Sequence, residues 1–264
     1  MSTRAVQKKN NGSATPKSKH KHPLRIVPMH PFAREASAAA PHLTYRNGPL
    51  LTSVEVFTVF WGKAWQDPAN DILPGEVNSF FDFILTSSLI DQLSEYSVPG
   101  KSISHGKRIG TTTLTSHNPG KSVTDAAIQK FIHSELSAGV LPAPSPNTLY
   151  FLYLPPGTTV KQTSTLSSCK DFCGYHEATP TGNIFYAVMP YPGCPGCLGT
   201  LQTLTALTST SSHELCEAIT DPIPGQGWYD DTNGEIGDIC AWKTNQLGAY
   251  TVQLEWSNAR NACV

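Results

Sequence analysis

A 264-residue chain that is 39% hydrophobic can close one sizeable core, and it holds no run of about 18 apolar residues that would cross a bilayer. Its formal charge of −1 hides two unlike parts: residues 1–46 carry nine Lys or Arg against the single acid Glu35, a net of +8, and the rest carries ten against 19 acids, a net of −9. No nucleic acid partner is expected for the folded domain; the basic tail over residues 1–43 can contact nucleic acid or anionic membrane but reads first as a disordered extension, and residues 44–264 read as a soluble, monomeric domain.

Within the tail, Lys8-Lys9-Asn10-Asn11 and Lys17-Ser18-Lys19-His20-Lys21-His22 are too polar to pack. The turn cluster Thr44-Tyr45-Arg46-Asn47-Gly48-Pro49 opens the body and releases an apolar run over residues 54–61, which predicts a central strand. Pro74 starts a helix in which Val77, Phe80, Phe81, Ile84 and Leu85 share one face. Residues 102–115, polar and rich in Thr and Gly, predict an edge strand and a loop. Thr124 as N-cap, followed by Ala127, Ile128, Phe131, Ile132 and Leu136 with Gly139 as the stop, predicts a second helix. Residues 148–154 and 183–189 predict two buried strands. Leu201, Leu204, Leu207, Leu215 and Ile219 suit a helix that runs to about Thr220 and ends before Pro222. Residues 227–230 and 235–238 flank Asn233-Gly234, which predicts a hairpin, and residues 250–256 predict a last strand. This order gives an α/β fold: one domain with a mixed β-sheet flanked by helices. No Gly-rich phosphate loop and no G-x-S-x-G elbow is present.

Six of the seven cysteines crowd into residues 169–240 and the seventh is Cys263. That spacing predicts disulfides in the C-terminal half with one thiol left over, although the close pairs Cys169/Cys173 and Cys194/Cys197 also fit a zinc site. Disulfides point to an extracellular protein. Against this, residues 24–40 are interrupted by Pro28, His30, Pro31, Arg34 and Glu35, and so lack the apolar stretch of a signal peptide.

The segment His213-Glu214-Leu215-Cys216-Glu217 carries the candidate chemistry. On a helix, His213 and Glu217 are four residues apart and project from one face, with Glu214 one position round. In H-E-x-x-H helices two histidines ligate zinc and the Glu accepts a proton from zinc-bound water. Here Glu217 stands for the second histidine. A third ligand must come from the acids that follow, Asp221, Asp230, Asp231, Glu235 and Asp238, and His176 is a further imidazole within reach. A plainer reading competes with this one: Ser211 and Glu214 match a capping box, in which His213 merely lies in the first turn of a helix. The loop Asp231-Thr232-Asn233-Gly234-Glu235 lacks the acid spacing of an EF-hand, so Ca2+ is a secondary expectation behind Zn2+.

Several stretches, in order, resemble the plant phosphate-induced, or Exordium, family and its microbial relatives over roughly residues 45–263. They are Tyr45-Arg46-Asn47-Gly48-Pro49-Leu50-Leu51-Thr52, Asp171-Phe172-Cys173-Gly174-Tyr175-His176, Cys194-Pro195-Gly196-Cys197, and Thr220-Asp221-Pro222 with Gly227-Trp228-Tyr229. The plant members are similar to cell-wall growth proteins without an established activity. The resemblance to a microbial, peptidase-like subgroup lies in Ser212-His213-Glu214, Glu217-Ala218, Glu235-Ile236-Gly237-Asp238 and Cys240. The resemblance implies Asp238 ahead of Asp221 as third ligand. The expectation is thus a zinc-dependent hydrolase, a peptidase of zincin-like layout acting on peptide or protein substrates. His213, Glu217 and Asp238 (or Asp221) hold the metal and Glu214 is the general base. The alternative is a non-catalytic, secreted Exordium-like binding or signalling protein.

Overall fold

The computed structural model describes residues 27–28 and 40–264, so most of the basic tail lies outside the described residues. In chain order the elements begin with β1 (Val27–Pro28), β2 (Thr44–Tyr45), β3 (Glu55–Trp61), α1 (Leu73–Ile84), α2 (Ser88–Leu93), β4 (Lys107–Leu114), β5 (Ser122–Thr124) and α3 (Asp125–Ser137). They continue with β6 (Thr148–Tyr153), β7 (Thr159–Lys161), β8 (Phe172–Ala178), β9 (Phe185–Met189), α4 (Pro195–Leu198) and α5 (Thr203–Thr220). Five short strands follow: β10 (Trp228–Tyr229), β11 (Thr244–Leu247), β12 (Tyr250–Gln253), β13 (Trp256–Ser257) and β14 (Ala262–Cys263).

A six-stranded sheet in the order β1-β8-β9-β6-β3-β4 forms the centre. Pairing is parallel from β9 through β6 and β3 to β4, and antiparallel at β8 with both β9 and β1. The sheet is therefore mixed, and the Thr- and Gly-rich segment 107–114 forms its edge. Both faces are covered, which is why the central strands read as unbroken apolar runs. Period-two geometry splits them: Val56, Phe60, Phe151 and Tyr153 face α1, α2 and α5, whereas Phe57, Val59, Tyr150 and Leu152 face α3.

Local chemistry explains the helix ends. Thr124 Oγ1 accepts the Ala127 N–H at 3.2 Å and starts α3. Gly139, at φ 70°, follows its last turn. β8 is the strand that the sequence does not announce, because Gly174, His176 and Glu177 interrupt its apolar pattern.

The region around Asn233-Gly234 differs from the expected hairpin. Trp228 and Tyr229 pair with Tyr45 and Thr44, leaving only a single bridge, Asp230 to Gly234, to close the turn. Asp230 Oδ1 accepts the N–H groups of Thr232 and Asn233 and folds the segment on itself, so it forms a tight turn rather than two strands. The predicted last strand divides in the same way: β12 pairs with β11, and β13 pairs with β14.

Three disulfides, Cys169–Cys194, Cys173–Cys197 and Cys240–Cys263, brace the C-terminal half, and Cys216 is the free, buried thiol. The close cysteine pairs of the sequence are thus cross-linked to each other and hold no zinc. The bonds tie the start of β8 to the turn before α5, and the turn after Gly237 to the C-terminus. Each closes a loop of 23 to 25 residues, worth about 3 kcal/mol in the chain-entropy account. They are consistent with an oxidising, extracellular setting. Among the described residues no helix is long and apolar enough to cross a membrane.

Candidate metal centre

Helix α5 is buried on every side, with 15 of its 18 residues inside, wedged between β8 and β9 on one flank and β12 on the other. Its many Ser and Thr hydroxyls survive burial by bonding back to the helix backbone or across to neighbours. Ser212 Oγ donates to the Ser209 carbonyl, Thr220 Oγ1 to that of Cys216, and Thr208 Oγ1 to that of Thr251. Ser211 lies in the middle of this helix and pairs with Tyr153 at 2.8 Å, which removes the capping-box reading: the helix begins eight residues earlier.

His213 and Glu217 stack at i and i+4, with His213 Nε2 2.9 Å from Glu217 Oε1. The third partner, which the sequence leaves open among five acids, is supplied by the fold. The turn at Asp238–Cys240 brings the Asp238 N–H to Glu217 Oε1 at 3.1 Å, and one ligand atom each from His213, Glu217 and Asp238 falls within 4.8 Å of the others. Two glycines make this approach fit. A side chain at Gly234, at φ +93°, would run into the Asp238 carboxylate, and a Cβ on Gly237 would lie 2.8 Å from His213 Nδ1.

Asp221 is placed differently. It caps the C-terminus of α5, and its carboxylate accepts the backbone N–H groups of Gly225, Gln226 and Gly227. The Asp221 carbonyl oxygen faces the centre, and its carboxylate lies beside Glu235. The carbonyl oxygen accepts from His176 Nε2 at 3.1 Å.

His176 carries more of the centre than its place in the sequence suggests. It stands on β8 and presents Nδ1 to Glu214 Oε2 at 3.1 Å and Glu217 Oε2 at 3.5 Å. His176, Glu214 and Glu217 form a second group whose ligand atoms lie within 4.8 Å of one another. Glu235 Oε1 reaches His176 Nε2 at 3.4 Å. The available signal was the His-Glu pair at 176–177, but only the pairing of β8 with β9 brings that imidazole over α5.

Hydrogen-bond partners set the tautomers of the two imidazoles. The Nε2–H of His176 donates to the Asp221 carbonyl, which leaves Nδ1 aimed at two carboxylates. A metal-ligating histidine is held in this manner by a backbone carbonyl. At His213 the arrangement is reversed. Gln253 accepts the Trp242 N–H on Oε1, and its Nε2 serves both the Gly237 carbonyl at 2.9 Å and His213 Nδ1 at 2.7 Å. With Gln253 so oriented, the neutral form of His213 accepts on Nδ1 and turns Nε2–H to Glu217.

The electrostatics are lopsided. Glu214, Glu217, Asp221, Glu235 and Glu255 are fully buried, and Asp238 is 8% exposed. Among the described residues, the only basic groups paired with Glu214, Glu217 and Glu235 are the two imidazoles. Burial pushes the carboxyls of Glu235 and Glu255 well above the usual range, and that of Glu214 upward against the pull of His176. For Glu217 burial acts in the same sense, but His213 and His176 outweigh it and hold the group at about 2. Burial alone would lower both imidazoles, yet Glu235 at His176 and Glu217 at His213 raise them well above the ordinary value. Despite this, Glu214 Oε1, Glu217 Oε2 and both oxygens of Glu235 accept no hydrogen bond. Buried carboxylate oxygens in that condition are costly unless the group is protonated or meets a cation.

Comparison with protein-family models, curated proteins and solved structures finds no match for this chain.

Proposed function

We propose that the protein binds a divalent metal ion at the Glu217 carboxylate and uses it for hydrolysis, with zinc as the metal and a peptide as the substrate class. The observation that carries this reading is the set of fully buried carboxylate oxygens without hydrogen bonds around two imidazoles. Nitrogen and oxygen donors in this mixture suit zinc. His213, Glu217 and Asp238 are its ligands, and the zincin-like element is the His213-Glu214 pair on α5. A metal held at His213 Nε2 would need a proton on Nδ1, and Gln253 would accept it on Oε1 if its amide were turned.

When bound, the ion polarises a carbonyl and makes its water acidic. Glu214 then accepts the water proton on Oε1, the oxygen that no hydrogen bond occupies, and returns it to the leaving amine. Asp238 is the least buried of the ligands and lies beneath the turn closed by Asp230 and Gly234.

A second reading has its own observation. The ligands range from 0% to 8% exposed, which favours a non-catalytic, Exordium-like protein in which the metal holds the fold together. One experiment separates the two: measure metal content and cleavage of casein and a peptide library for the wild type and Glu214→Gln. Hydrolysis lost in the variant with metal retained supports the enzyme. Metal in both with hydrolysis in neither supports the structural role, and absence of metal from both removes each reading.

A further inference from the structure

We propose that the centre is binuclear, with the two oxygens of Glu217 bridging one divalent ion on the His213 side and a second on the His176 side. The inference rests on the metal-binding reading above and adds the second ion. Glu217 Oε1 lies 2.9 Å from His213 Nε2, and Oε2 lies 3.5 Å from His176 Nδ1, so the two oxygens of one carboxylate serve two different imidazoles. Each side is completed by its own carboxylate: Asp238 beside His213, and Glu214 beside His176.

Tetrahedral bonds of about 2.0–2.2 Å put neighbouring ligand atoms about 3.3–3.6 Å apart. The imidazole–carboxylate separations, 2.9, 3.1 and 3.5 Å, need shifts of only a few tenths of an ångström, and the remaining ligand atoms lie within 4.8 Å. A bridging carboxylate of this kind spans ions about 3.5–4 Å apart in two-metal hydrolytic sites.

Charge gives an independent reason. Glu214, Glu217, Glu235, Asp238 and Glu255 put five carboxyl groups in or beside one buried volume, more than a single divalent ion can balance once they ionise. Oxygens without hydrogen bonds lie on both sides: Glu217 Oε2 and Glu235 Oε1 beside His176, and the two oxygens of Glu255, whose charge acts on His213. Glu214 binds through Oε2 and keeps Oε1 for the water proton.

The two sides are not equivalent. His176 already donates Nε2–H to the Asp221 carbonyl and has Nδ1 directed at its ligand partners. His213 must wait for Gln253 to turn. The ion on His176 binds first and more tightly.

The test is a zinc titration of the chelator-stripped full chain by calorimetry, with Mn2+ substituted in parallel for electron paramagnetic resonance. Two equivalents in two unequal steps are expected, together with an exchange-coupled Mn2+ spectrum. His176→Ala should remove the tighter step and His213→Ala the weaker, each leaving an uncoupled spectrum. Saturation at one equivalent, or two uncoupled Mn2+ ions in the wild type, overturns the binuclear centre and leaves a single-ion site standing. No binding overturns the metal reading itself. The wild-type spectrum decides the matter even if a histidine variant fails to fold.

Discussion

The two faces of the central sheet are closed by helices of opposite character. On one face α3 lays Ile128, Phe131 and Ile132 on Val59, Trp61, Tyr150 and Leu152, and its outer side meets water. Its buried charge is modest: Asp125, at its first position, accepts the hydroxyls of Tyr175 and Tyr186. On the other face α5 is enclosed and carries His213, Glu214 and Glu217 into the interior. The α3 face is held by area removed from water, which is indifferent to pH and to ions. The α5 face gains apolar contacts too, but it encloses charges that stabilise the fold only when they are paired or metal-bound.

The largest expected effect tests this difference directly. Glu217→Ala removes the carboxylate shared by both imidazoles and should cost about 4 kcal/mol in urea unfolding, the range for breaking a buried ion pair. Ile128→Ala, at a fully buried site under α3, should cost about 3 kcal/mol by cavity formation. The size separates them less than the conditions. The Ile128 loss should be the same with zinc or with chelator, whereas the Glu217 loss should be much greater in zinc. A zinc-independent Glu217 loss would reduce α5 to an ordinary buried helix.

The same difference decides what the sequence reveals. α3 is legible because burial on one side imposes a 3.6-residue period and an end cap, both of which a pattern of Ile, Phe and Thr displays. β3, β6 and β9 are legible as apolar runs. α5 is only half legible: Leu207, Leu215 and Ile219 mark it as a helix, but burial on all sides erases the polar face that would show which way His213 points. His213, Glu217 and Asp238 do come together, although the Asn233-Gly234 element that carries Asp238 is a turn and not a hairpin. His176 could not be placed from spacing, because it lies 37 residues before His213 and reaches α5 only through the antiparallel pairing of β8. The disulfide partners also depend on that three-dimensional arrangement.

The next effect in size concerns protons. Glu214, Glu235 and Glu255, and also His176 and His213, have folded values above their ordinary ones, so the folded chain keeps protons that the unfolded chain releases. The stability of the chelator-stripped protein therefore falls as pH rises from about 4.5 through neutrality. Glu217 has the opposite sign, but its contribution is lost between pH 4.5 and about 2 and leaves the neutral range untouched. Thermal unfolding should give a higher Tm at pH 5 than at pH 8 without metal. Zinc at a hundred times its Kd adds about 2.7 kcal/mol and should act more strongly at pH 8, where it does not compete with protons. A Tm that rises from pH 5 to pH 8 in chelator would show that the carboxylates are paired without an ion.

The smallest effect compares how the two helices begin. Thr124 caps α3 through its side chain, whereas Gln202, at the same position of α5, makes no side-chain cap. A helix whose outer side faces water depends on its cap, because water competes for its first N–H groups; a helix enclosed on all sides is fixed by its packing. Thr124→Ala should cost about 1 kcal/mol, a fall in Tm of about 2–4 °C, with the same value at pH 5 and pH 8 and with or without zinc. Gln202→Ala, at an exposed position, should stay within about 0.5 kcal/mol of the wild type. Differential scanning calorimetry resolves both. If the two substitutions cost the same, α3 too is held by packing rather than by its end, and the contrast between the faces narrows to the charges that α5 encloses.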